Sequence, residues 1–502
     1  MENAVRNPSP LAQLFKQSSH YLAGNLMVMA TGFITMPILT RALSTADYGV
    51  LSLVSVTVYT ALSLAKGGLQ EAAVRFYSEF KNGIRPDIAV YYNTLFWSSS
   101  ILAVLTGLAF GAVGMIWREN IADANAQQLI LIIAGMVVSG GLFMRLSNFL
   151  RAEQNTKLYN LFMVLQRYGI LVFGFLLMFN SAKPLLGFLT GSLIGETVIA
   201  AVLLGMFFGR GKIRRPHISG AFLQECLRFG IPLVGFELAS YLLKIADRYL
   251  VKIFLGSEAV GIYSLAYNIC SYLNDALFFA VWYAIYPIYM DLWQKKGEAE
   301  TAKFLTKAST SLLLLALPVI WGFSALSKDA ITYIASEKYL SAVPFVPYLL
   351  LGMIFWGFVP IFGAGLYIHK KTKLIAALTF AGLILNVALD LYLIPHYQLF
   401  GAAIGTLLSY AFLLGLVVWK AFPYLRVSVD GKMLAKSLAA SGTMYAILIN
   451  LDHFTGLSWL FIKILIGAAI YTVVMLSIDR DLRQVAANVI GRRLLLGGTT
   501  LN

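Results

Sequence analysis

Hydrophobic residues along this chain come in long blocks that are separated by short, mostly basic segments. Each block is roughly twenty residues long, the length that an α-helix needs to cross the hydrocarbon core of a bilayer. Because backbone amides in lipid must be paired internally, continuous runs of this length indicate helices rather than barrel strands. The pattern predicts about fourteen transmembrane helices, over residues 17–42, 47–69, 89–117, 127–150, 157–180, 183–209, 222–255, 258–285, 302–326, 343–368, 373–394, 399–420, 434–451 and 458–479.

Composition and charge place the chain in a membrane. Hydrophobic residues make up 59% and charged residues 13% of the 502 positions, and a soluble protein of this size needs more charged surface. The net charge of +15 would suggest nucleic acid for a soluble protein. Here the basic residues are concentrated on one side of the predicted membrane. The N-terminal tail and every second loop together hold roughly four times as many Lys and Arg residues as the other loops. We therefore expect a multi-pass membrane protein with both termini cytoplasmic, and no nucleic-acid partner.

One segment recurs at an offset of 212 residues. Residues 43–53 align with residues 255–265, so that Gly49 falls on Gly261, and both copies follow a long helix and open the next one. Six helices precede the second copy, so the two halves run parallel. Transporters built from such repeats place the substrate near the membrane midplane, between the halves.

The repeat predicts an all-α polytopic fold with four regions. Two six-helix bundles surround a central cavity, and two extra helices follow. The regions are an N-terminal bundle at 1–209, a basic cytoplasmic linker at 210–221, a C-terminal bundle at 222–421, and the additional helices with a cytoplasmic tail at 422–502.

Polar residues form stripes at helical spacing on three of the predicted spans. Such groups are costly in hydrocarbon and usually face a cavity. The stripes consist of Ser52, Ser55, Tyr59, Ser63, Lys66 and Gln70 on the second span, Glu237, Tyr241, Lys244 and Arg248 on the seventh, and Ser264, Tyr267, Ser271 and Asp275 on the eighth.

Other interpretations of these residues stay open. Lys66, Asp247, Arg248 and Lys463 lie near span ends, where long side chains reach water, and this interpretation is favoured for Lys463. Lys244 with Asp247, or Arg248 with Glu237, could form local ion pairs. The remaining charged groups, Asp275, Glu237, Arg167 and Glu196, lie deeper. The glycine series 187, 191, 195 and 401, 405 is typical of closely packed helices.

Motifs of catalysis and cofactor binding do not occur in the sequence. It has no phosphate-binding loop that ends in Gly-Lys-Ser/Thr and no His-Glu-x-x-His, and its five histidines have no metal-ligand spacing. We therefore expect no enzyme activity, no metal and no cofactor.

Two motifs carry a family resemblance. Residues 37–51, with Arg41, Asp47 and Gly49, and residues 246–267, with Asp247, Arg248 and Gly261, resemble the oligosaccharide and polysaccharide flippases of the multidrug/oligosaccharidyl-lipid/polysaccharide (MOP) exporter superfamily. The resemblance implies two six-helix bundles in a V. It also implies export of an undecaprenyl-pyrophosphate-linked glycan by alternating access, across the bacterial inner (cytoplasmic) membrane. Beyond these six residues, no position carries over by motif.

A cargo of this kind needs cations for its pyrophosphate and hydrogen-bonding groups for its sugars. The candidates are Lys66, Lys244, Arg248 and Arg167 for the pyrophosphate; Tyr59, Tyr241, Tyr267, Asn25 and Ser271 for the sugars; and Glu237 and Asp275 for a driving H⁺ or Na⁺. Expected partners are the lipid-linked oligosaccharide, membrane lipids, and a glycan polymerase or other assembly proteins. The alternatives are a multidrug or organic-cation antiporter of the same superfamily, a flippase for the peptidoglycan lipid precursor, and a membrane glycan polymerase or ligase.

Overall fold

The computed structural model describes residues 27, 31–32, 34–85, 87–116, 125–214, 218–480 and 482–484. Every regular element in these ranges is helical, as predicted. The predictions for Asn25, for residues 215–217 of the linker and for most of both tails lie outside the described residues.

Contacts divide the chain into two compact units, residues 1–261 and 262–502, which we call the N-terminal and C-terminal units. The predicted boundary at residues 210–221 was based on the sequence repeat, whereas the boundary after residue 261 is based on contacts. The predicted boundary stays a prediction. Helices of the N-terminal unit are α1 (34–42), α2 (Thr45–Lys66), α3 (Leu69–Lys81), α4 (Ile88–Ile116), α5 (Ala126–Ala152), α6 (Thr156–Phe179), α7 (Pro184–Gly209) and the first part of α8 (Gly220–Ala330).

Helix α8 is not one straight rod. Gly256 and Gly297 have φ of 88° and 78°, which a right-handed helix does not allow. The two glycines divide α8 into segments 220–255, 257–296 and 298–330.

The C-terminal unit continues after α8 with a π-helical turn (Ile331–Ala335) and a 3₁₀ helix (Glu337–Phe345). Its further helices are α9 (Val346–Phe362), α10 (Ala364–Ile368), α11 (Thr372–Ala421), α12 (Gly431–Ile449) and α13 (Leu457–Ile478). Within α11, Gln398 has non-helical angles, so two helices meet there at a kink.

Within the described ranges, ten helices are long and apolar enough to cross a membrane. Three of them run for 42, 51 and 50 residues, more than one crossing of about 20 residues requires. The chain is therefore a multi-pass membrane protein, and its helices are consistent with the predicted fourteen.

The start of α2 lies within the motif at residues 37–51, and its contacts explain the presence of Ser44 and Asp47. The side chain of Ser44 caps α2 by accepting a hydrogen bond from the backbone N–H of Asp47 at 3.0 Å, and Ser44 Oγ donates to the Asp47 carboxylate at 2.7 Å. Asp47 also lies in the first turn, where a negative charge complements the helix dipole. Ser44 and Asp47 therefore fix where the helix begins.

Helix α3 was not predicted. It is only 13 residues long and charged on one face, while Leu69, Phe76 and Phe80 are buried on the other. It begins after Gly67 and Gly68, whose φ values are 52° and 71°. These left-handed angles favour glycine and turn the chain at the end of α2.

The glycine series on α7 has the role predicted from sequence. A Cβ at Gly187 would lie 2.5 Å from the carbonyl oxygen of Leu177, and one at Gly195 would lie 2.6 Å from that of Gly169. Glycines at these positions let α6 and α7 pack backbone to backbone.

The two repeat-related glycines contact each other within the N-terminal unit. A Cβ at Gly49 would lie 2.8 Å from the backbone nitrogen of Gly261. At the other end of α2, the backbone of Gly68 packs against Gly230. Segment 220–255 thus lies along α2 in antiparallel orientation.

Lys463 corrects one expectation. It was expected to reach water from a span end, but it is 1% exposed and forms an ion pair with Asp329, with 2.5 Å between Nζ and Oδ2. The expectation was wrong because a carboxylate partner on α8 satisfies the ammonium group inside the protein.

Candidate functional site

The N-terminal unit contains a cavity of about 520 Å³ between α2, α5, α6 and α7. This volume lies in the usual range for ligand sites, about 300–1,000 Å³. Residues from α6 line it at successive helical steps, namely Tyr159, Met163, Gln166, Arg167 and Ile170.

The two ends of the cavity differ in polarity. Near the end of α5 and the start of α6, the lining residues are Gln70, Ser147, Asn148, Arg151 and Tyr159, which we call the polar end. Towards the start of α2 and α7, the lining is mostly apolar and includes Leu39, Leu51, Val54, Met136, Phe188 and Leu189, with Thr35, Ser55 and Ser192 among them. A ligand in this cavity therefore meets a denser set of polar groups at the polar end.

Three charged residues line the cavity in the described part of the chain: Arg151, Arg167 and Glu196. Arg167 Nε donates to Thr31 Oγ1 at 2.9 Å. The buried Glu196 accepts from Gln166 Nε2 at 2.8 Å and from Ser139 Oγ at 3.1 Å. These bonds satisfy the carboxylate, and the charged groups of the lining have a net positive charge.

A second polar cluster connects α2 with segment 220–255. Lys66 Nζ lies 2.5 Å from Glu237 Oε1, and Ser63 Oγ donates to the same oxygen at 2.9 Å. The rings of Tyr59 and Tyr241 stack with centroids 6.3 Å apart.

Lys66 and Tyr59 connect this cluster with the N-terminal cavity. Tyr59 lines the cavity and is 45% exposed, while Lys66 borders a small neighbouring void together with Gln70 and Arg145. The structure thus brings four predicted residues, Lys66, Glu237, Tyr59 and Tyr241, close together.

Lys244 and Arg248 lie further along the same segment. Lys244 is half-buried and Arg248 is 6% exposed. The backbone N–H of Arg248 donates to the carboxylate of Asp247, which is also buried. Neither Lys244 nor Arg248 lines the N-terminal cavity.

Three predicted residues belong to the C-terminal unit. Tyr267 is buried, and its hydroxyl lies 3.1 Å from that of Tyr410. Ser271 is half-buried and Asp275 is exposed. In the same unit Tyr263 bonds Thr406 at 3.1 Å, so this stretch of aromatic residues makes both polar and packing contacts.

Comparison with known proteins identifies the family. Residues 14–293, more than half of the chain, match the polysaccharide biosynthesis protein family. The chain belongs to this family. This match confirms the predicted resemblance at the level of the family.

Curated proteins that are similar to this chain have names that refer to the biosynthesis of polysaccharides or glycans. The chain is 23% identical over 329 residues to the succinoglycan biosynthesis transport protein ExoT of Rhizobium meliloti, a match that covers 64% of this chain and 62% of that protein. It is also 23% identical over 331 residues to the lipopolysaccharide biosynthesis protein WzxC of Escherichia coli, with coverages of 64% and 62%. A probable low-salt glycan biosynthesis flippase of Haloferax volcanii is 24% identical over 305 residues, with coverages of 58% and 64%. The chain spans less than two thirds of the length of these curated relatives.

Solved structures share the fold. The lipid II flippase MurJ in an inward closed conformation aligns with a TM-score of 0.73 at 16% identity, over 93% of this chain and 99% of that one. An inward-facing multidrug transporter of the MATE family aligns with a TM-score of 0.60 at 15% identity, over 80% and 95%.

Sequence reasoning did not propose several residues of this polysaccharide biosynthesis protein that line the cavity. Arg151 and Asn148 were not among the predicted site residues, although Asn148 precedes Arg151 by three residues on the same face of α5. Glu196 was recognised as deep but was not proposed as a site residue. The helical spacing of Ser147, Asn148 and Arg151 is the signal that could have found this face.

A buried carboxylate in the C-terminal unit was also missed. Asp390 on α11 is fully buried, with Asn386 one turn before it. A Cβ at Gly405 would collide with the Asp390 carboxylate, so the glycine makes room for this group. Carboxylates at such depth are costly and are retained mostly where they function.

Proposed function

We propose that this protein carries an undecaprenyl-pyrophosphate-linked oligosaccharide, a precursor of a surface polysaccharide, across the bacterial inner membrane by ion-coupled alternating access. One observation above all supports this cargo: a cavity among apolar membrane helices is lined by two arginines, Arg151 and Arg167, and by one carboxylate. The names of its relatives, which describe transport and flipping in glycan biosynthesis, agree with it.

The chemistry of the cargo explains the lining. A pyrophosphate cannot enter hydrocarbon without partners, and an arginine fork binds phosphate oxygens in a fixed geometry. Arg167 lies midway along α6, so it offers a cation at membrane depth, while Arg151 offers one at the end of α5. The isoprenoid tail stays in the lipid.

Lys66, Lys244 and Arg248 remain further candidates for the pyrophosphate, and Tyr59, Tyr241, Tyr267 and Ser271 for sugars. Glu237 and Asp275 remain the proposed coupling groups for H⁺ or Na⁺. A driving ion acts by binding one conformational state more tightly than the other. Both termini are proposed to be cytoplasmic. A glycan polymerase or other polysaccharide assembly protein is a further proposed partner.

The lining disfavours an organic-cation antiporter, which needs an acidic cavity. Arg151 and Arg167 outnumber Glu196, so a cationic drug meets a net repulsive charge.

A deletion strain tests the function. We expect lipid-linked glycan to accumulate on the cytoplasmic leaflet and surface glycan to disappear. We expect the wild-type gene to restore glycan export in this strain. The Arg167→Ala variant is expected to restore at least about tenfold less export, because a hydrogen bond to a charged group contributes about 1.5–3 kcal/mol. Lys183→Ala is the matched control, since Lys183 is exposed, bonds Asn125 and lies outside the cavity lining. Normal glycan distribution in the deletion strain would contradict the proposal.

A further inference from the structure

Basic side chains and aromatic rings come together in the C-terminal unit, where α11 begins and ends. Three cations there each lie over an aromatic ring, which attracts a charged group within about 6 Å of its centroid. The pairs, with the distance from the charged group to the ring centroid, are Lys371 with Tyr424 at 5.9 Å, Lys420 with Trp419 at 3.7 Å, and Arg426 with Phe422 at 4.9 Å. We call these six residues the basic aromatic cluster.

The loop that follows α11 packs against α10 and the loop that precedes α11. The ring centroids of His369 and Tyr424 are 5.0 Å apart. A Cβ at Gly365 would lie 3.0 Å from the backbone nitrogen of Leu425, whose side chain is buried. The two ends of α11 therefore lie side by side, as the kink at Gln398 allows.

Both ends of α11 lie where the membrane-spanning region meets water. The helix is apolar and 50 residues long, more than two crossings of about 20 residues require, so it crosses the membrane and returns to the same surface. Trp419 and Phe422 are 63% and 51% exposed. Aromatic rings are enriched at this depth, and the stems of lysine and arginine reach from it to the headgroups.

In the described ranges, no ion pair includes any of the three cations of the cluster. Residues 338–429 include one acidic residue, Asp390, which is buried in the first half of α11. The next one along the chain, Asp430, accepts hydrogen bonds from backbone N–H groups and thereby caps α12. The positive charge of the cluster is therefore available to an anionic ligand.

The chemistry of the cluster favours an amphiphile with a phosphate. Guanidinium and ammonium groups bind phosphate oxygens, and the exposed rings beside them offer apolar contact area. A soluble anion leaves these rings without a partner, whereas a phospholipid supplies both a phosphate and acyl chains. A zwitterionic headgroup brings a cation of its own, which the three basic residues repel.

We propose that the basic aromatic cluster binds the headgroup of an acidic phospholipid. Lys371, Lys420 and Arg426 contact its phosphate, and Trp419 and Phe422 pack against the upper part of its acyl chains. The loop contacts position the cluster before the lipid arrives, which lowers the cost of binding. None of these residues lines the N-terminal cavity, so the lipid is a ligand in addition to the proposed cargo.

Quenching of tryptophan fluorescence by brominated lipids tests the site in the purified full-length protein. The protein is placed in phosphatidylcholine bilayers with an increasing share of brominated phosphatidylglycerol or brominated phosphatidylcholine. The variant Trp419→Phe identifies the part of the signal that comes from Trp419. We expect this part to show at least about a tenfold preference for phosphatidylglycerol, because each cation near an anionic lipid contributes about fivefold.

Charge removal locates the preference. Arg426→Gln is expected to reduce the preference about fivefold, and the triple variant that also includes Lys371→Gln and Lys420→Gln is expected to lose it. Lys432→Gln is the matched control, since it removes an exposed cation in the first turn of α12, outside the cluster, and it is expected to keep the preference. Unfolding midpoints equal to that of the wild type show that the variants fold.

Equal quenching of Trp419 by the two brominated lipids would overturn the proposal. An equal loss of preference in Lys432→Gln and Arg426→Gln would also overturn it, because diffuse surface charge would then account for the binding. Displacement of the lipid by millimolar soluble pyrophosphate at constant ionic strength would show a site for a soluble anion instead.

Discussion

Lys66 on α2 and Glu237 on α8 form an ion pair, with 2.5 Å between Nζ and Oε1. Their side chains are 19% and 35% exposed, so the pair lies at the edge of the protein interior. Ser63 donates to the same carboxylate oxygen. Two residues that the sequence assigned to different tasks, pyrophosphate and coupling ion, therefore neutralise each other.

Exchanging the two charges tests whether the pair has a role beyond structure. Lys66→Glu and Glu237→Lys alone are each expected to lower both protein abundance and surface glycan, because each places like charges together. The double exchange restores abundance, since the attraction is regained, but not surface glycan, because the cation has moved. Immunoblots and glycan staining measure the two effects. Full recovery of glycan in the double variant would show that the pair is structural only.

The close approach of α6 and α7 predicts a steric effect at Gly191. A Cβ there meets the backbone carbonyl of Phe173, so Gly191→Ala is expected to destabilise the protein by about 1–3 kcal/mol. On the same helix, a Cβ at Gly205 would have nothing within 4 Å. Gly205→Ala should therefore be neutral or slightly stabilising, because alanine is the better helix former. Thermal unfolding in detergent compares the two, and equal midpoints would contradict the packing described.

The buried pair of Asp329 and Lys463 predicts an asymmetry between single and double substitutions. Removing one partner, as in Asp329→Ala, leaves an unpaired charge and is expected to cost about 3–5 kcal/mol. Replacing both with leucine removes both charges and is expected to cost less than either single change. Thermal unfolding checks this order. A double variant that is less stable than both single variants would refute the interpretation.

The contact of Arg85 with Glu225 predicts a pH dependence, and Glu225 precedes the membrane-spanning stretch of α8, which begins at Glu237 in the structure. The Arg85 guanidinium bonds Glu225 at 2.7 Å and Glu79 at 2.8 Å, and the hydrogen bond from Arg85 lowers the pKa of Glu225 below its usual 4.5. A lowered carboxylate pKa means that the stabilisation is complete above the ordinary value and is lost as pH falls through the folded-state value. The loss is small because Glu225 is 44% exposed.

Unfolding midpoints between pH 6 and pH 3 measure this effect. The wild type should lose more stability than Glu225→Gln across the acidic part of the range. Glu298→Gln, at an exposed position on α8, serves as the control and should follow the wild type. Parallel curves for wild type and Glu225→Gln would exclude the contribution of this pair.

Much of the fold follows from local pattern. The apolar blocks predicted the helices because a span must bury its own backbone bonds, and the repeat paired Gly49 with Gly261, which the structure brings into contact. Helix α3 was missed because its 13 residues are too few and too charged for a span. The predicted spans 222–255, 258–285 and 302–326 leave gaps that contain Gly256 and Gly297, the two residues at which α8 is interrupted.

The candidate site was harder to predict, because stripes on single helices do not show which helices meet. The polar stripe of the second span was found, and Tyr59 does line a cavity. The partners of that stripe on α5, Asn148 and Arg151, lie in a region where basic residues are expected for topology alone. Lys463 was wrongly expected to reach water, because its partner Asp329 is 134 residues away in sequence and the pattern on one helix does not show this contact.

Transport in a reconstituted system tests the central proposal most directly. Purified protein in liposomes would be supplied with a fluorescent undecaprenyl-pyrophosphate-linked oligosaccharide in one leaflet, and its appearance in the other would be followed by chemical quenching. The wild type is expected to move the lipid well above the rate of protein-free liposomes, and Arg167→Ala at least about tenfold more slowly. A wild-type rate equal to that of protein-free liposomes would contradict the proposed function.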